Sequence, residues 1–328
     1  MKGRRYLKKS YTKVIALVFS DLHLNIWSRF NNQNKRTLEQ FRVLHTIRDK
    51  ARQYDVPVLF CGDFFHKSNN IDTDLIDLIF QNRYSFPKRV IGITGNHDTN
   101  CVTTIGSDNF DLYKFISYTI PEVECINFKF TEIIPYTRIY GVPYIDHNIG
   151  LNKYLKSLKL DHKYKNVLLL HTDYPGACDT DGRVVNSVEN LSINTLNKFD
   201  LVLCGHIHKP QRLSKKVYMV GAPNQQRRTD QKCDMGYWEL YSDMSMVFKP
   251  LDDFPKFIDV ESEDEVVDDG NYYTVLPKIT SKQLKSKHKI TKRLSKKRLA
   301  RRYMRKKGIS DKTKQELLVD ILIESESC

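Results

Sequence analysis

Five short apolar runs in this 328-residue chain each end directly in aspartate, asparagine or histidine. Val14–Phe19 leads into Asp21-Leu22-His23, and the run at 56–61 into Gly62-Asp63-Phe64-Phe65-His66. The run at 90–94 leads into Gly95-Asn96-His97-Asp98, that at 167–170 into His171, and that at 201–204 into Gly205-His206-Ile207-His208. Continuous apolar runs of this length, rich in branched side chains, suit strands covered on both faces. After the first run, Leu38, Phe41, Leu44, Ile47 and Ala51 recur at helical spacing, and Ile71, Leu75, Ile76 and Ile79 suggest a second helix. Strands alternating with helices predict an α/β architecture. In such sheets ligands gather outside the carboxyl ends of the strands, so the five clusters predict one site.

Further strands are expected. Ile126-Asn127-Phe128-Lys129-Phe130 alternates, and the stretch 127–144 reads as strands with one exposed face. Residues 216–221 and 236–240 read as a strand pair, and Tyr272-Tyr273-Thr274-Val275-Leu276 as another strand. Together they exceed what one simple doubly wound sheet needs.

Hydrophobic residues make up 40% of the chain and charged residues 28%, enough to bury a core without disulfides. The apolar run near the start is too short for a signal peptide or a membrane span. A soluble, cytoplasmic protein with no membrane partner is expected. The seven cysteines are scattered, odd in number and without a Cys-x-x-Cys, which argues against a disulfide framework or a zinc ribbon. Cys61 and Cys204 sit inside apolar runs, as small buried thiols do.

Net charge is +14, and residues 281–328 carry +11 of it. The stretch 281–310 holds 14 Lys or Arg and no acidic residue. Such a block binds a polyanion or forms a solvated arm. Residues 251–270 hold nine acidic side chains and one lysine. Three zones are therefore expected: a globular domain over 1–250, an acidic connector over 251–280, and a basic tail over 281–328. Within the tail 281–307 has only a weak apolar stripe, whereas Leu317, Leu318, Ile321 and Leu322 give 310–323 a helical apolar face.

The clustered residues combine carboxylates, an amide and imidazoles with no thiolate. This donor set suits Mn, Fe, Zn or a similar divalent ion. Asp-x-His and His-x-His place two donors at i and i+2, on one side of an extended segment. Asp21, His23, Asp63, Asn96, His171, His206 and His208 are more donors than one ion uses. Two ions about 3.5–4 Å apart that share a carboxylate would use them all. Taken singly, each cluster has a plainer reading. Asp-x-His recurs by chance, Gly-Asn-His-Asp is turn-like, and a lone His171 is a packed strand end. Their joint occurrence at five strand ends outweighs those readings. His45 belongs to the helical pattern, and His147, His162 and His288 are assigned no role.

The order D-x-H, G-D-x-x-H, G-N-H-D, H and G-H-x-H resembles that of the calcineurin-like metallophosphoesterases. Within that superfamily the chain looks most like the SbcD-type recombination and repair nucleases, phage members included. Tyr140-Gly141-Val142-Pro143-Tyr144, Lys209-Pro210-Gln211 after His208, and Gly221-Ala222-Pro223 support this over about residues 13–245. Asn25 and Phe64 depart from the common Gly and Leu, at positions that are not ligands.

The resemblance implies a four-layer αββα sandwich with a reduced cap and a basic helical C-terminal tail. It implies that Asp21, His23 and His208 bind one metal, that Asn96, His171 and His206 bind a second, and that Asp63 bridges them, with Mn2+ as the metal. His97 would stabilise the transition state or protonate the leaving oxygen, His66 would position the scissile strand, and Asp98 would orient His97. The implied activity is 3′→5′ exonuclease and single-strand endonuclease cleavage of DNA. The implied partners are DNA, an SbcC-type coiled-coil ABC ATPase docked on the C-terminal helix, and a second copy of the chain. For a phage member the compartment would be the host cytoplasm.

Two other functions are weighed. Phosphoprotein phosphatases usually read Gly-Asp-x-Val-Asp-Arg-Gly and Gly-Asn-His-Glu, where this chain has His66 and Asp98. Another phosphodiesterase of the superfamily belongs with this reading. A non-catalytic DNA-binding scaffold is the second, and the intact ligand set argues against it.

Overall fold

The computed structural model of the chain describes residues 12–68, 72–83, 86–87, 89–107 and 111–276. Ile71, the basic stretch 281–307 and the amphipathic pattern at 310–323 lie outside the described residues. The chain order is β1 (Val14–Phe19), α1 (Lys35–Tyr54), β2 (Val58–Phe60), α2 (Thr73–Gln81), β3 (Val90–Gly92), α3 (Leu112–Thr119) and β4 (Val123–Cys125). It continues with β5 (Phe130–Ile134), β6 (Thr137–Val142), α4 (Leu151–Ser157), β7 (Lys165–His171), α5 (Ile193–Leu196) and β8 (Leu201–Gly205). The remaining strands are β9 (Gln211–Arg212), β10 (Val217–Met219), β11 (Gly236–Tyr241), β12 (Met246–Pro250), β13 (Phe257–Val260) and β14 (Tyr272–Val275).

Two six-stranded sheets form, in the orders β12-β11-β1-β2-β3-β4 and β5-β6-β7-β8-β10-β9. Four strands of each run parallel: β1, β2, β3 and β4, out to one edge, in the first, and β6, β7, β8 and β10, at the centre, in the second. Antiparallel strands flank both, as in β1–β11, β11–β12, β5–β6 and β9–β10. The sheets are mixed because hairpin edges were added to parallel strands.

Side-chain alternation along the central strands builds the layers. On β7, Val167 and Leu169 enter a core shared with Leu59, Ile91 and Leu203, all from strands, so this core lies between the sheets. The intervening Leu168 and Leu170 enter a second core with Leu151 and Leu155 of α4 and Leu196 of α5. On β2, Val58 and Phe60 turn the other way, onto Phe41, Leu44 and Ile47 of α1, Leu75 of α2 and Ile116 of α3. Three apolar cores stacked in this way require four layers: helices, sheet, sheet, helices. Each fully buried aliphatic side chain contributes about 1.5–3 kcal/mol relative to exposure. A strand such as β7, buried on both faces, is therefore apolar through Val167–Leu170, with its buried polar residues Asn166 and His171 towards its ends.

The expected strands at 56–61, 90–94, 167–170 and 201–204 correspond to β2, β3, β7 and β8, and both expected helices are present as α1 and α2. Leu38 is an exception, being exposed. It lies nine residues before Ile47, two and a half turns round the helix, and so on the opposite face. Cys61 and Cys204 are buried, and burial pushes the Cys204 thiol up to about 12.

Three expectations are corrected. Residues 216–221 and 236–240 do not pair: β10 joins β8 and β9, whereas β11 joins β1 and β12 in the other sheet. Apolar alternation sets which faces are covered but not which strand lies alongside. Residues 126–129 are not strand either. The Asn127 side chain instead takes the Thr94 amide and donates to Thr94 Oγ1, at 3.1 and 2.6 Å. Nor does the compact unit end at 250, since it runs to Val260 and takes in Val266–Thr274. Phe254, Phe257, Val260 and Tyr272 are buried and anchor that segment. Glu261–Glu265 lies outside that unit, and there Glu265 Oε1 accepts the Glu261 and Ser262 amides.

Candidate metal centre

The carboxyl ends of β1, β2 and β3 in one sheet and of β7 and β8 in the other bring all five clusters together. Backbone and side-chain hydrogen bonds lace the loops to one another. The Asp21, His23 and Leu24 amides donate to the Gly62, Asp63 and Phe64 carbonyls at 2.9, 3.1 and 2.7 Å. The His206 amide is 3.1 Å from both Asp21 carboxylate oxygens. From α1, Gln40 Nε2 donates to the Leu22 and His23 carbonyls at 2.7 and 2.8 Å.

Several of these residues hold left-handed backbone conformations: Asp21 (φ 52°), His23 (49°), Asp63 (59°) and His206 (94°). Such conformations cost on the order of 1–3 kcal/mol each and persist where the surroundings over-determine them, as functional sites do. Gly62, at φ +98°, has no room for a Cβ, which would strike His171 Nδ1. At Gly205 a Cβ would strike the Cys61 carbonyl and Ser20 Oγ.

Asp63 is central. Its Oδ2 lies 3.7 Å from His23 Nε2 and 3.4 Å from His171 Nε2, while Oδ1 accepts the His97 amide at 2.8 Å. His208 Nε2 lies 3.1 Å from His23 Nε2. Asn96 Oδ1 lies 3.1 Å from His171 Nε2 and 2.9 Å from His206 Nδ1. Asp21, His23 and His208 form one group of donors, and Asp63, His171 and His206 a second, each with its ligand atoms within 4.8 Å of one another.

These residues fit a pair of cations. His171 Nδ1 lies 2.7 Å from the Cys61 carbonyl, which can only accept, so Nδ1 carries the hydrogen. In a neutral ring Nε2 is then a bare lone pair aimed at two oxygen acceptors, Asn96 Oδ1 and Asp63 Oδ2. Only a positive charge between them satisfies that geometry. Burial works to lower the His171 pKa, yet the Asp63 carboxylate overrides it and raises it. Burial would likewise raise Asp63, and His171 and His23 hold it well below the usual carboxylate range. A divalent ion at the same point supplies the charge that the proton otherwise supplies.

His97 Nδ1 donates to the His66 carbonyl at 2.8 Å, which leaves Nε2 as the ring's free nitrogen. The His66 ring lies 4.8 Å from the Trp27 ring, and burial, then the His97 and Lys67 charges, lowers its pKa to about 4. Both histidines line a cleft of about 480 Å³ with Asp63, His206, His208, Trp27 and Arg227. A larger cleft of about 660 Å³ at Arg52, Arg89, Glu122 and Glu124 offers no comparable donor set, and Arg89 there pairs with Glu124 at 3.1 Å. Donor chemistry, rather than size, selects the first.

Asp98 is placed differently from expectation. Its carboxylate accepts the amides of Asp63, Gly95 and Phe65 at 3.0, 2.8 and 2.8 Å and makes no hydrogen bond to the His97 ring. Three of its roughly four acceptor sites are taken by amides of the two loops, so it clamps the second loop to the third. Burial and the Asp63 carboxylate push its pKa up against those donors.

Sequence reasoning missed Asp230, Trp27 and Gln40. Asp230 is fully buried, lies 3.2 Å from His208 Nδ1, and accepts the Gln226 and Arg227 amides at 2.9 and 3.1 Å. It fixes the His208 tautomer so that Nε2 faces the other donors. Asp230→Ala is expected to weaken divalent-metal binding by about 10–100-fold, read by titration calorimetry. Unchanged affinity would show that His208 needs no such orientation.

A profile of calcineurin-like phosphoesterases matches residues 16–210, a span that opens before Asp21 and closes after His208. No curated protein matches the sequence. Among solved structures, TT1561 of Thermus thermophilus is 11% identical with a TM-score of 0.40, over 73% of this chain and 99% of that one. The purple acid phosphatase PPD1 of yellow lupin (Lupinus luteus) seeds is 14% identical with a TM-score of 0.43, over 76% and 53%. The Pseudomonas putida nuclease MPE is 12% identical with a TM-score of 0.28, over 62% and 66%. Similarity at these levels assigns no activity. With more than half of its length matched by that profile, the chain belongs to the calcineurin-like phosphoesterase family.

Proposed function

We propose that the protein is a two-metal phosphodiesterase that cuts DNA, using Mn2+, in recombination or repair. The observation that carries the reading is the convergence of six donor side chains around Asp63. Asp21, His23 and His208 would hold one ion, Asn96, His171 and His206 the other, and Asp63 both. Bound there, the pair would supply an activated water and neutralise charge on the phosphoryl oxygens. The chain does the rest. The His66 carbonyl fixes the His97 ring through Nδ1–H, and the ring protonated on Nε2 as well gives that second proton to the departing sugar oxygen, returning to the neutral form. Trp27 backs His66 on the cleft wall. For DNA as substrate the support is the polycationic stretch 281–310, which can contact phosphates without sequence preference. By the same resemblance, 3′→5′ exonuclease and single-strand endonuclease activity, gating by an SbcC-type ATPase docked on Leu317, Leu318, Ile321 and Leu322, and self-association belong to the proposal.

The test compares duplex DNA, single-stranded DNA and a phosphopeptide under Mn2+, for wild type and His97→Ala. DNA cleavage is expected, with a loss of about 100–10,000-fold in the variant. Phosphopeptide turnover without DNA cleavage would establish a phosphatase instead, and no turnover of any substrate would establish a scaffold.

A further inference from the structure

The structure assigns a third cation site, built of the His23, His66 and His97 imidazoles on the cleft side of the paired donors, to a borderline-soft ion such as Zn2+. One ligand nitrogen from each ring lies within 4.8 Å of the others. The ring centroids are 4.7 Å (His23–His97), 5.4 Å (His23–His66) and 5.6 Å (His66–His97) apart. A tetrahedral zinc with bonds of about 2.0–2.1 Å holds its nitrogens roughly 3.4 Å apart. Small side-chain rotations therefore close this triad on an ion.

Hydrogen bonding points the same way. Nδ1 of His23 and Nδ1 of His66 are buried with no partner among the described residues. Leaving a buried polar atom unpaired is costly, and a bound ion would relieve that cost. His23 Nε2 already faces the paired donors, so binding through Nδ1 makes His23 an imidazolate bridge and releases its N–H proton to solvent. His97 has committed Nδ1 to the His66 carbonyl, so its Nε2 is the donor that remains. Donor chemistry then selects the ion. The paired groups include Asp21, Asp63 and Asn96 and accept oxygen-loving ions. The triad has imidazoles alone, which favour Zn2+, Co2+ or Ni2+ over Mn2+. On the proposed reaction, filling the triad withdraws His66 and His97 from substrate and is inhibitory. Cellular zinc would thus restrain the enzyme while manganese sustains it.

The test dialyses the full chain to equilibrium against Zn2+ or Mn2+ and measures bound metal, for wild type, His66→Ala and His97→Gln. Wild type is expected to hold one more Zn2+ than either variant, with Mn2+ content equal in all three and Zn2+ affinity at the lost site at least 100-fold weaker. Equal Zn2+ content in wild type and both variants overturns the triad. Mn2+ bound by wild type is a separate readout: two ions per chain support the paired centre, and fewer overturn that reading while the Zn2+ difference still decides the triad.

Discussion

On the proposed two-metal reading, Asp63→Asn is expected to lower turnover by about 1000-fold, about 4 kcal/mol on the barrier, and to reduce bound divalent metal from two ions to one. Asparagine keeps the shape of aspartate and can still accept the His97 amide through Oδ1. The loop geometry should therefore survive. What disappears is the negative oxygen that lies within 3.7 Å of His23 Nε2 and 3.4 Å of His171 Nε2. Without it neither donor group is tied to the other by charge, and a second cation beside the first meets unscreened repulsion. The raised pKa of His171, which depends on Asp63 once burial is overcome, should fall with it. Metal analysis, a steady-state assay and a circular dichroism spectrum check the three parts. A folded variant that retains two ions and wild-type turnover would remove Asp63 from the centre of the site.

Asp98→Ala is expected to destabilise the metal-free protein by at least about 3 kcal/mol, because it strands three buried amides at about 1–3 kcal/mol each. Those amides belong to Asp63, Gly95 and Phe65. The Asp98 carbonyl also accepts the Leu112 amide at the start of α3, so the same segment seats that helix. Metal uptake should fall as well, since the clamp sets the separation of Asp63 from Asn96. Asp98→Asn keeps one acceptor oxygen and should fall between wild type and Ala. Urea unfolding with and without Mn2+ checks both effects. Unchanged stability with slowed turnover alone would return Asp98 to the role of orienting His97.

The contrast between Asp98 and Asp63 marks where reading a sequence stops. The two sit in matching places, each just after a glycine-led turn from a buried strand. One faces the His23 and His171 nitrogens and the other binds amides, and local sequence does not separate those outcomes. Asp230 was invisible for a different reason. It stands in a polar stretch with no motif, and its value comes from lying against a histidine 22 positions earlier. Gln40 looked like an ordinary helix residue, yet it reaches the carbonyls of Leu22 and His23 across the helix–sheet interface. Trp27 acts through ring contact with His66, which no spacing rule detects.

By itself, the amino-acid order determined the buried strands and the chemistry at their ends, because a strand covered on both faces must be apolar and the chain must turn as it leaves one. It thereby picked out the seven side chains that the fold brings close together, and implied more than one ion. Only the tertiary structure decided which strands are neighbours, which carboxylate faces the histidines and which binds backbone amides, and which distant side chains hold the histidines in place. Those choices depend on contacts between segments far apart in sequence. No local pattern encodes them, since hydrogen-bond partners and packed rings are selected by how whole layers stack.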